Sequence, residues 1–382
     1  MKVLFNASNV VKGGAIQAAV NFILSTIKNE SEVKWFYILS KEVECELEQL
    51  NVYIINFIVI NKSPSKDKGE RNKITQYEEI VAPNVVFTLF GPAYVKFKSH
   101  HISGFANGWV THSTLQTFLN TYQNNYLKIF QSILKYIFYA YHIRKADAWI
   151  FETETARTGF IKRLAVPRSR TYVVPNTCID FGGDFEKQEA VFVNGVELHY
   201  KSNLFLALAA NYPHKNISTL LKAVSYLVKE GDFCNFKLIL TLEETDYNRE
   251  FKDYIIDNEL NEYIINIGKV NIAELPSLYS VVRCSILPSF IETFSAIYPE
   301  SFSTSTPIIT TNANFAKEIC QNAAIYIDPK DPVNIAKAMR EIVNNRELFL
   351  CLTNNGKKQF DKINSPSTKF QQYLSVIFDE LV

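Results

Sequence analysis

The most chemically suggestive stretch of the sequence is Pro288-Ser289-Phe290-Ile291-Glu292-Thr293-Phe294-Ser295-Ala296-Ile297-Tyr298-Pro299-Glu300, which carries two carboxylates, at positions 292 and 300. It follows an apolar run, Cys284–Leu287, with the character of a buried strand. The stretch therefore belongs at a carboxyl edge, where open α/β sheets bind ligands. Pro299 must lie near the first turn of the ensuing helix, because a proline deeper inside would break it. Glu292 then sits in the loop, and Glu300 on the helix about two turns further on. One carboxylate can reach a ligand at the loop and the other a more distant part of it. Backbone amides around Ser295 and Ala296, at the helix N-terminus, can receive phosphate oxygens.

A second stretch, Ala209-Ala210-Asn211-Tyr212-Pro213-His214-Lys215-Asn216, joins a strand to an amphipathic helix. Lys215 there places a cation at a helix start, against the helix dipole; that misfit points to a ligand-binding role rather than a structural one. Gly13-Gly14, with Lys12 before them, follow the first strand. Two glycines let backbone approach a ligand closely and expose amides at a helix N-terminus. Thr117–Arg144 is richer in Phe, Tyr, Ile and Leu than one buried face requires, with Lys128, Lys135, Arg144 and Lys145 in or beside it. It reads either as a long core helix or as a membrane-facing one.

Elements that hold these residues alternate between β and α. The N-terminal strands are expected at Lys2–Asn6, Val33–Ser40, Tyr53–Ile60, Val85–Phe90, His101–Phe105 and Ala148–Phe151, with a helix at Ala15–Lys28. Asn61–Asn72 reads as a basic loop. Tyr172–Val174 is a strand, and Asn194-Gly195 marks a small hairpin between Val191–Val193 and Val196–Tyr200. The rhythm restarts with a strand at Leu204–Ala210, a helix at Ile217–Lys229 and Gly231 past its end. Strands follow at Phe236–Leu240, Ile264–Gly268, Cys284–Leu287, Pro307–Thr311 and Ala324–Ile327. A last helix spans Ser365–Val382, with Phe370, Tyr373, Leu374, Ile377 and Leu381 on one face. Such alternation means βαβ units and mostly parallel sheets.

At 382 residues and 47% hydrophobic the chain suits two α/β domains. A net charge of +1 gives no electrostatic case for nucleic acid. Cys45, Cys178, Cys234, Cys284, Cys320 and Cys351 lack metal or disulfide spacing and read as reduced, buried thiols. No D-x-D, G-x4-G-K-[ST] or G-x-G-x-x-G is present, which argues against metal-dependent transfer, phosphoryl transfer and dinucleotide redox chemistry. Neither a signal peptide nor a bilayer-spanning run is evident, so a cytoplasmic location is expected, peripheral to a membrane if Thr117–Arg144 docks there.

The sequence resembles the family 4 glycosyltransferases of the GT-B fold, whose hallmark is E-x7-E after a P-S dipeptide. Glu292 and Glu300 match it; Ser305-Thr306-Pro307-Ile308-Ile309, Lys317-Glu318-Ile319 and Asp328-Pro329-Lys330-Asp331 follow in the family's order, and the fit runs from about Tyr172 to Ile342. The resemblance implies two facing Rossmann-like domains with a cleft between them, residues 1–174 on the acceptor side, joined by the terminal helix 361–382, and 175–360 on the donor side. It implies a metal-independent, retaining transfer from a nucleotide diphosphate sugar to a hydroxyl, with no cofactor. Glu300 would accept the ribose hydroxyls, Glu292 would contact the donor sugar, and Lys215 would balance the diphosphate, beside Phe294, Ser295 and Ala296. Gly13 and Gly14 would face that motif across the cleft.

The family's arginine five residues before the lysine is Ala210 here, E-x-F-G ends in Ser295, and the histidine after the fifth strand is replaced by Ala106-Asn107. Asn107 and His112 are the remaining candidates for positioning the sugar. By resemblance the acceptor is a sugar or lipid-linked sugar in bacterial surface-polysaccharide assembly, with an anionic membrane surface as a further partner. A nucleotide-sugar epimerase and a catalytically silent partner of another transferase are the alternatives.

Overall fold

The computed structural model describes residues 1–29, 33–177, 181, 186–208, 210–247 and 249–381. The chain runs through β1 (Lys2–Ala7), α1 (Gly14–Lys28), β2 (Lys34–Ser40), α2 (Lys41–Gln49), β3 (Phe57–Ile60), α3 (Lys68–Val81), β4 (Val85–Thr88) and β5 (His100–Gly104). It continues with α4 (Gly108–Thr111), α5 (Leu115–Thr121), α6 (Tyr126–Ile143), β6 (Ala148–Phe151), α7 (Glu154–Leu164) and β7 (Thr171–Val173). A hairpin, β8 (Ala190–Val193) and β9 (Val196–His199), leads to β10 (Leu204–Ala207), α8 (Ile217–Glu230), β11 (Lys237–Leu240), α9 (Arg249–Asp257) and β12 (Ile264–Asn266). Then come α10 (Leu275–Val281), β13 (Val282–Leu287), α11 (Ile297–Ser303), β14 (Ile308–Thr311), α12 (Asn314–Cys320), β15 (Ala324–Ile327), α13 (Pro332–Asn344), α14 (Arg346–Phe360) and α15 (Pro366–Asp379).

Two compact units result. One comprises Met1–Ser113, Phe130–Thr177 and Asn364–Val382; the other comprises Thr114–Ile129 and Cys178–Ile363. The first unit holds a seven-stranded sheet ordered β3-β2-β1-β4-β5-β6-β7, and the second a six-stranded one ordered β12-β11-β10-β13-β14-β15. Neighbouring strands of both sheets pair in parallel, and β8–β9 is a separate antiparallel hairpin turning through Asn194 (φ 50°) and Gly195 (φ 76°).

Strand order reverses between β1 and β4 in one sheet and between β10 and β13 in the other. Loops leaving the carboxyl ends at such a reversal diverge to opposite faces and leave a crevice. Burial of both sheet faces explains the unbroken apolar strands. Phe205 and Ala207 of β10 pack with α8 and α13, while Leu204 and Leu206 pack on the opposite face with Leu278 and Tyr279 of α10. In the first unit, α15 lays Phe370, Tyr373 and Leu374 against β1 and α1, with the Phe370 ring 5.2 Å from Phe22.

Several sequence expectations fail locally. The third strand is shorter than Tyr53–Ile60, because Asn56 takes a left-handed turn (φ 61°) and Tyr53 and Ile55 are exposed. The basic loop ends early: Asp67 accepts from the Glu70 amide and starts α3 at Lys68. Leu381 lies past α15 and is exposed. Thr117–Arg144 is not one helix, since Gln123 (φ 48°) and Asn124 (φ 61°) break it between α5 and α6. Cys234 and Cys351 are exposed rather than buried, on the turn after α8 and the outer side of α14. Cys178 and Ala209 fall outside the described residues.

Candidate active site

Lys215 and Glu292 stand in the two loops that leave β10 and β13, on either side of the strand-order reversal in the second unit. The first loop ends in a single 3₁₀ turn, Pro213–Lys215, and Asn216 (φ 61°) redirects the chain into α8. The Asn216 carboxamide donates to the carbonyls of Pro288 (3.1 Å) and Pro329 (2.6 Å), and its oxygen accepts from Thr219. The Phe290 amide donates to the His214 carbonyl at 2.8 Å. Three loops at the carboxyl edge are thus fastened to one side chain. Asparagine fits because it adopts left-handed backbone readily and offers two donors.

With the loops so held, Lys215 Nζ donates to Glu292 Oε1 at 2.6 Å. The side chains are 16% and 10% exposed, so Glu292 is not the solvated carboxylate of an ordinary loop. His214 stacks on Tyr212 (5.7 Å between rings); burial, opposed by Glu292 and aided by Lys215, pushes its imidazole down to about 4.

Glu300 lies on α11 and is buried rather than on a helix surface. The Tyr279 hydroxyl donates to its Oε2 at 3.2 Å. Burial raises the Glu300 carboxyl to about 7, against the lowering effect of that hydrogen bond. Ahead of α11, Phe294 is half-buried, Ser295 buried and Ala296 exposed. Pro299 is the third residue of that helix, where it leaves no bond broken.

The other sequence candidates belong to the first unit. Gly13 (φ 66°, ψ −155°) caps α1 and Gly14 is its first residue; both are exposed, and a Cβ on either would meet nothing within 4 Å. Asn107 is an N-cap, its side-chain oxygen accepting from the Trp109 and Val110 amides. His112 caps the other end of α4, with Nδ1 2.8 Å from Thr111 Oγ1. The oxygen of Asn107 is therefore committed to its own helix. Among the described residues no group of three or more His, Cys, Asp and Glu could hold a metal ion.

Sequence reasoning missed Asn216 and Tyr279. The K-N dipeptide marks the first, but its grip on Pro288 and Pro329 is a tertiary fact, as is the approach of Tyr279 to Glu300.

Comparison with known proteins bears on the family and the fold. Residues 193–359 match the model for the family glycosyl transferases group 1. The O-antigen chain mannosyltransferase RfbU of Salmonella typhimurium is 30% identical over 194 residues, 48% of this chain and 54% of that protein. The chain spans about half the length of the curated relatives it matches. Two solved structures superpose with a TM-score of 0.70: Anabaena HepE in complex with UDP and glucose (14% identical, 99% of each chain) and WaaG, a glycosyltransferase involved in lipopolysaccharide biosynthesis (12% identical, 98% of this chain and 99% of that one). At such identities these two speak for the fold alone. Residues 193–359 thus match the glycosyl transferases group 1 model, and the chain that carries them has the GT-B fold.

Proposed function

We propose that this protein transfers a sugar from a nucleotide diphosphate sugar to a hydroxyl acceptor with retention of anomeric configuration and without a metal ion. The observation that carries the reading is the Lys215–Glu292 pair at the strand-order reversal of the unit that matches the glycosyl transferases group 1 model. When the bond from the anomeric carbon to the diphosphate breaks, its electron pair leaves on the diphosphate, the acceptor oxygen bonds to that carbon on the same face, and the hydroxyl proton passes to the departing diphosphate oxygen. Lys215 and the amides near Ser295 and Ala296 balance the charge that grows on the diphosphate, which is where a fixed cation accelerates such a step. Glu292 holds the donor sugar and Glu300 the ribose. The second unit takes most of the donor and the first serves the acceptor; in the first, the Gly13 and Gly14 amides contact the donor, and Asn107 and His112 position the reacting sugar. The relative named an O-antigen chain mannosyltransferase favours a sugar or lipid-linked sugar acceptor in surface-polysaccharide synthesis. Thermal shift against a panel of UDP-, GDP- and ADP-sugars tests donor binding, because a ligand that binds only the folded chain raises its stability. Transfer or donor hydrolysis with the stabilising sugar separates an enzyme from a silent binding partner.

A second reading concerns the membrane surface. Helix α6 exposes Tyr126, Leu127, Phe130, Leu134, Ile137, Phe138 and Tyr141. No Asp or Glu occurs from Thr111 to Ala146, whereas Lys128, Lys135, Arg144 and Lys145 do. An amphipathic helix of this kind, apolar on one side and cationic in charge, fits an anionic bilayer surface. No helix among the described residues is long and apolar enough to cross a membrane. The peripheral placement at the inner face of the cytoplasmic membrane is part of this proposal.

A further inference from the structure

Glu300 and its neighbours form a buried polar cluster larger than a lone ribose-binding carboxylate requires. The Tyr279 hydroxyl donates to Glu300 Oε2 at 3.2 Å and lies within hydrogen-bonding reach of Ser301 and Ser285, whose hydroxyls are 2.8 Å apart. Tyr279 is itself fixed from behind. Lys187 Nζ, nearly buried, donates to the carbonyls of Tyr279 (2.8 Å) and Val282 (3.0 Å) at the end of α10 and to Thr306 Oγ1 (2.9 Å). Thr306 contacts Thr304 at 3.1 Å, and Thr304 donates to the Glu300 carbonyl at 2.9 Å. One ammonium therefore anchors both the helix that presents Tyr279 and, through two threonines, the C-terminal end of the helix that presents Glu300. Buried networks with this degree of satisfaction hold their members in one geometry.

We infer that Tyr279 is a positioning residue that orients the Glu300 carboxylate for the nucleotide ribose, with Lys187 fixing the helix that carries it. The inference rests on the ribose assignment of Glu300 made above. With Oε2 occupied by Tyr279, Oε1 is turned over to the ligand. The hydroxyl also favours the ionised carboxylate, the form that accepts ribose hydroxyls. Of the titratable groups close by, burial holds Tyr279 and Cys284 well above their ordinary values, whereas it brings Lys187 down to about 7, into the window of Glu300. The shift that Tyr279→Phe makes in the midpoint, with Lys187 unaltered, is therefore the reading that belongs to the Tyr279–Glu300 contact.

The test is isothermal titration of the whole chain with UDP, GDP and ADP from pH 5.5 to 9, using the unaltered protein, Tyr279→Phe, Glu300→Gln and the double variant. Tyr279→Phe keeps the buried ring. It is expected to weaken the nucleotide that binds by about tenfold at pH 7 and to move the pH midpoint of binding upward. In the Glu300→Gln background the same change should cost little, since coupled residues do not add. Equal losses in both backgrounds, or an unmoved midpoint, overturn the positioning role while leaving the ribose assignment in place. If none of the three nucleotides binds the unaltered chain, the ribose assignment falls and this inference with it.

Discussion

Lys215 Nζ stands 2.6 Å from Glu292 Oε1, and the two side chains are largely withdrawn from solvent. A cation expected to balance a diphosphate is thus held by the carboxylate expected to hold the sugar. The pair keeps each charge from being buried alone, which would cost far more than the pair gains. It also fixes the ammonium beside the loop that leaves β13, at the strand-order reversal.

This pairing separates catalysis from folding. Lys215→Ala should lower turnover by about 100-fold, the effect of removing one preorganised charge from a leaving group. It also leaves Glu292 without its partner, so some stability is lost with it. Adding Glu292→Gln to Lys215→Ala should restore melting temperature but not rate. Recovery of both by the double variant would return Lys215 to a structural role.

Transfer should survive chelation. Rates measured with and without EDTA are expected to agree; a rate abolished by EDTA and rescued by a divalent ion refutes charge neutralisation by Lys215 and backbone amides.

Glu300 gives opposite pH dependences for stability and for binding. Its folded carboxyl titrates at about 7 against an ordinary 4.5. The folded state therefore holds the proton more tightly. That contribution to stability is fully present below pH 4.5 and is lost as pH rises through 7, an effect of up to about 3 kcal/mol. Nucleotide affinity should rise over the same window, because the ribose needs the carboxylate. Glu300→Gln should flatten both curves, and Glu300→Ala should weaken nucleoside diphosphate binding by roughly 1.5–3 kcal/mol. Denaturant melts and titrations across pH 4–9 read the two trends.

The two glycines at the start of α1 should behave differently. Gly13 occupies backbone that is nearly confined to glycine, so Gly13→Ala costs about 1–3 kcal/mol. Gly14 is helical and its Cβ would meet open space. Gly14→Ala should leave the melting temperature unchanged and impair transfer, if a ligand approaches that backbone; full activity would remove Gly14 from the site.

Flotation with liposomes decides the role of α6. Binding to anionic vesicles at low salt, lost at high salt and with neutral lipid, is expected at about 1 kcal/mol for each lysine near the surface. Phe130→Ser with Phe138→Ser should abolish it. A chain that never floats with anionic vesicles at low salt does not dock by this face.

Period and punctuation alone gave most of the elements. The expected strands of both sheets are present, because strands buried on two faces must be apolar throughout and bounded by turn residues. Glu292 in a loop and Glu300 on a helix followed from the position of Pro299. Local backbone reversals were hidden: Asn56, Gln123 and Asn124 adopt left-handed turns that other asparagines and glutamines in the chain do not announce. So was the exposure of α6, since an apolar helix reads the same whether a neighbour covers it or not.

By itself the sequence determined that two parallel sheets would form, that Lys215 and Glu292 would stand in loops at the carboxyl edge of the second, and that Glu300 would lie on the helix after the second of those loops. Covalent order, helix period and proline geometry act over a few residues, and a sequence displays them directly. Only the tertiary structure decided that Lys215 meets Glu292, that Asn216 ties three loops together, and that Tyr279 and Lys187 support Glu300. Those partners are separated by up to 119 positions, as Lys187 and Thr306 are, and their meeting depends on where strand order reverses, which no local pattern encodes.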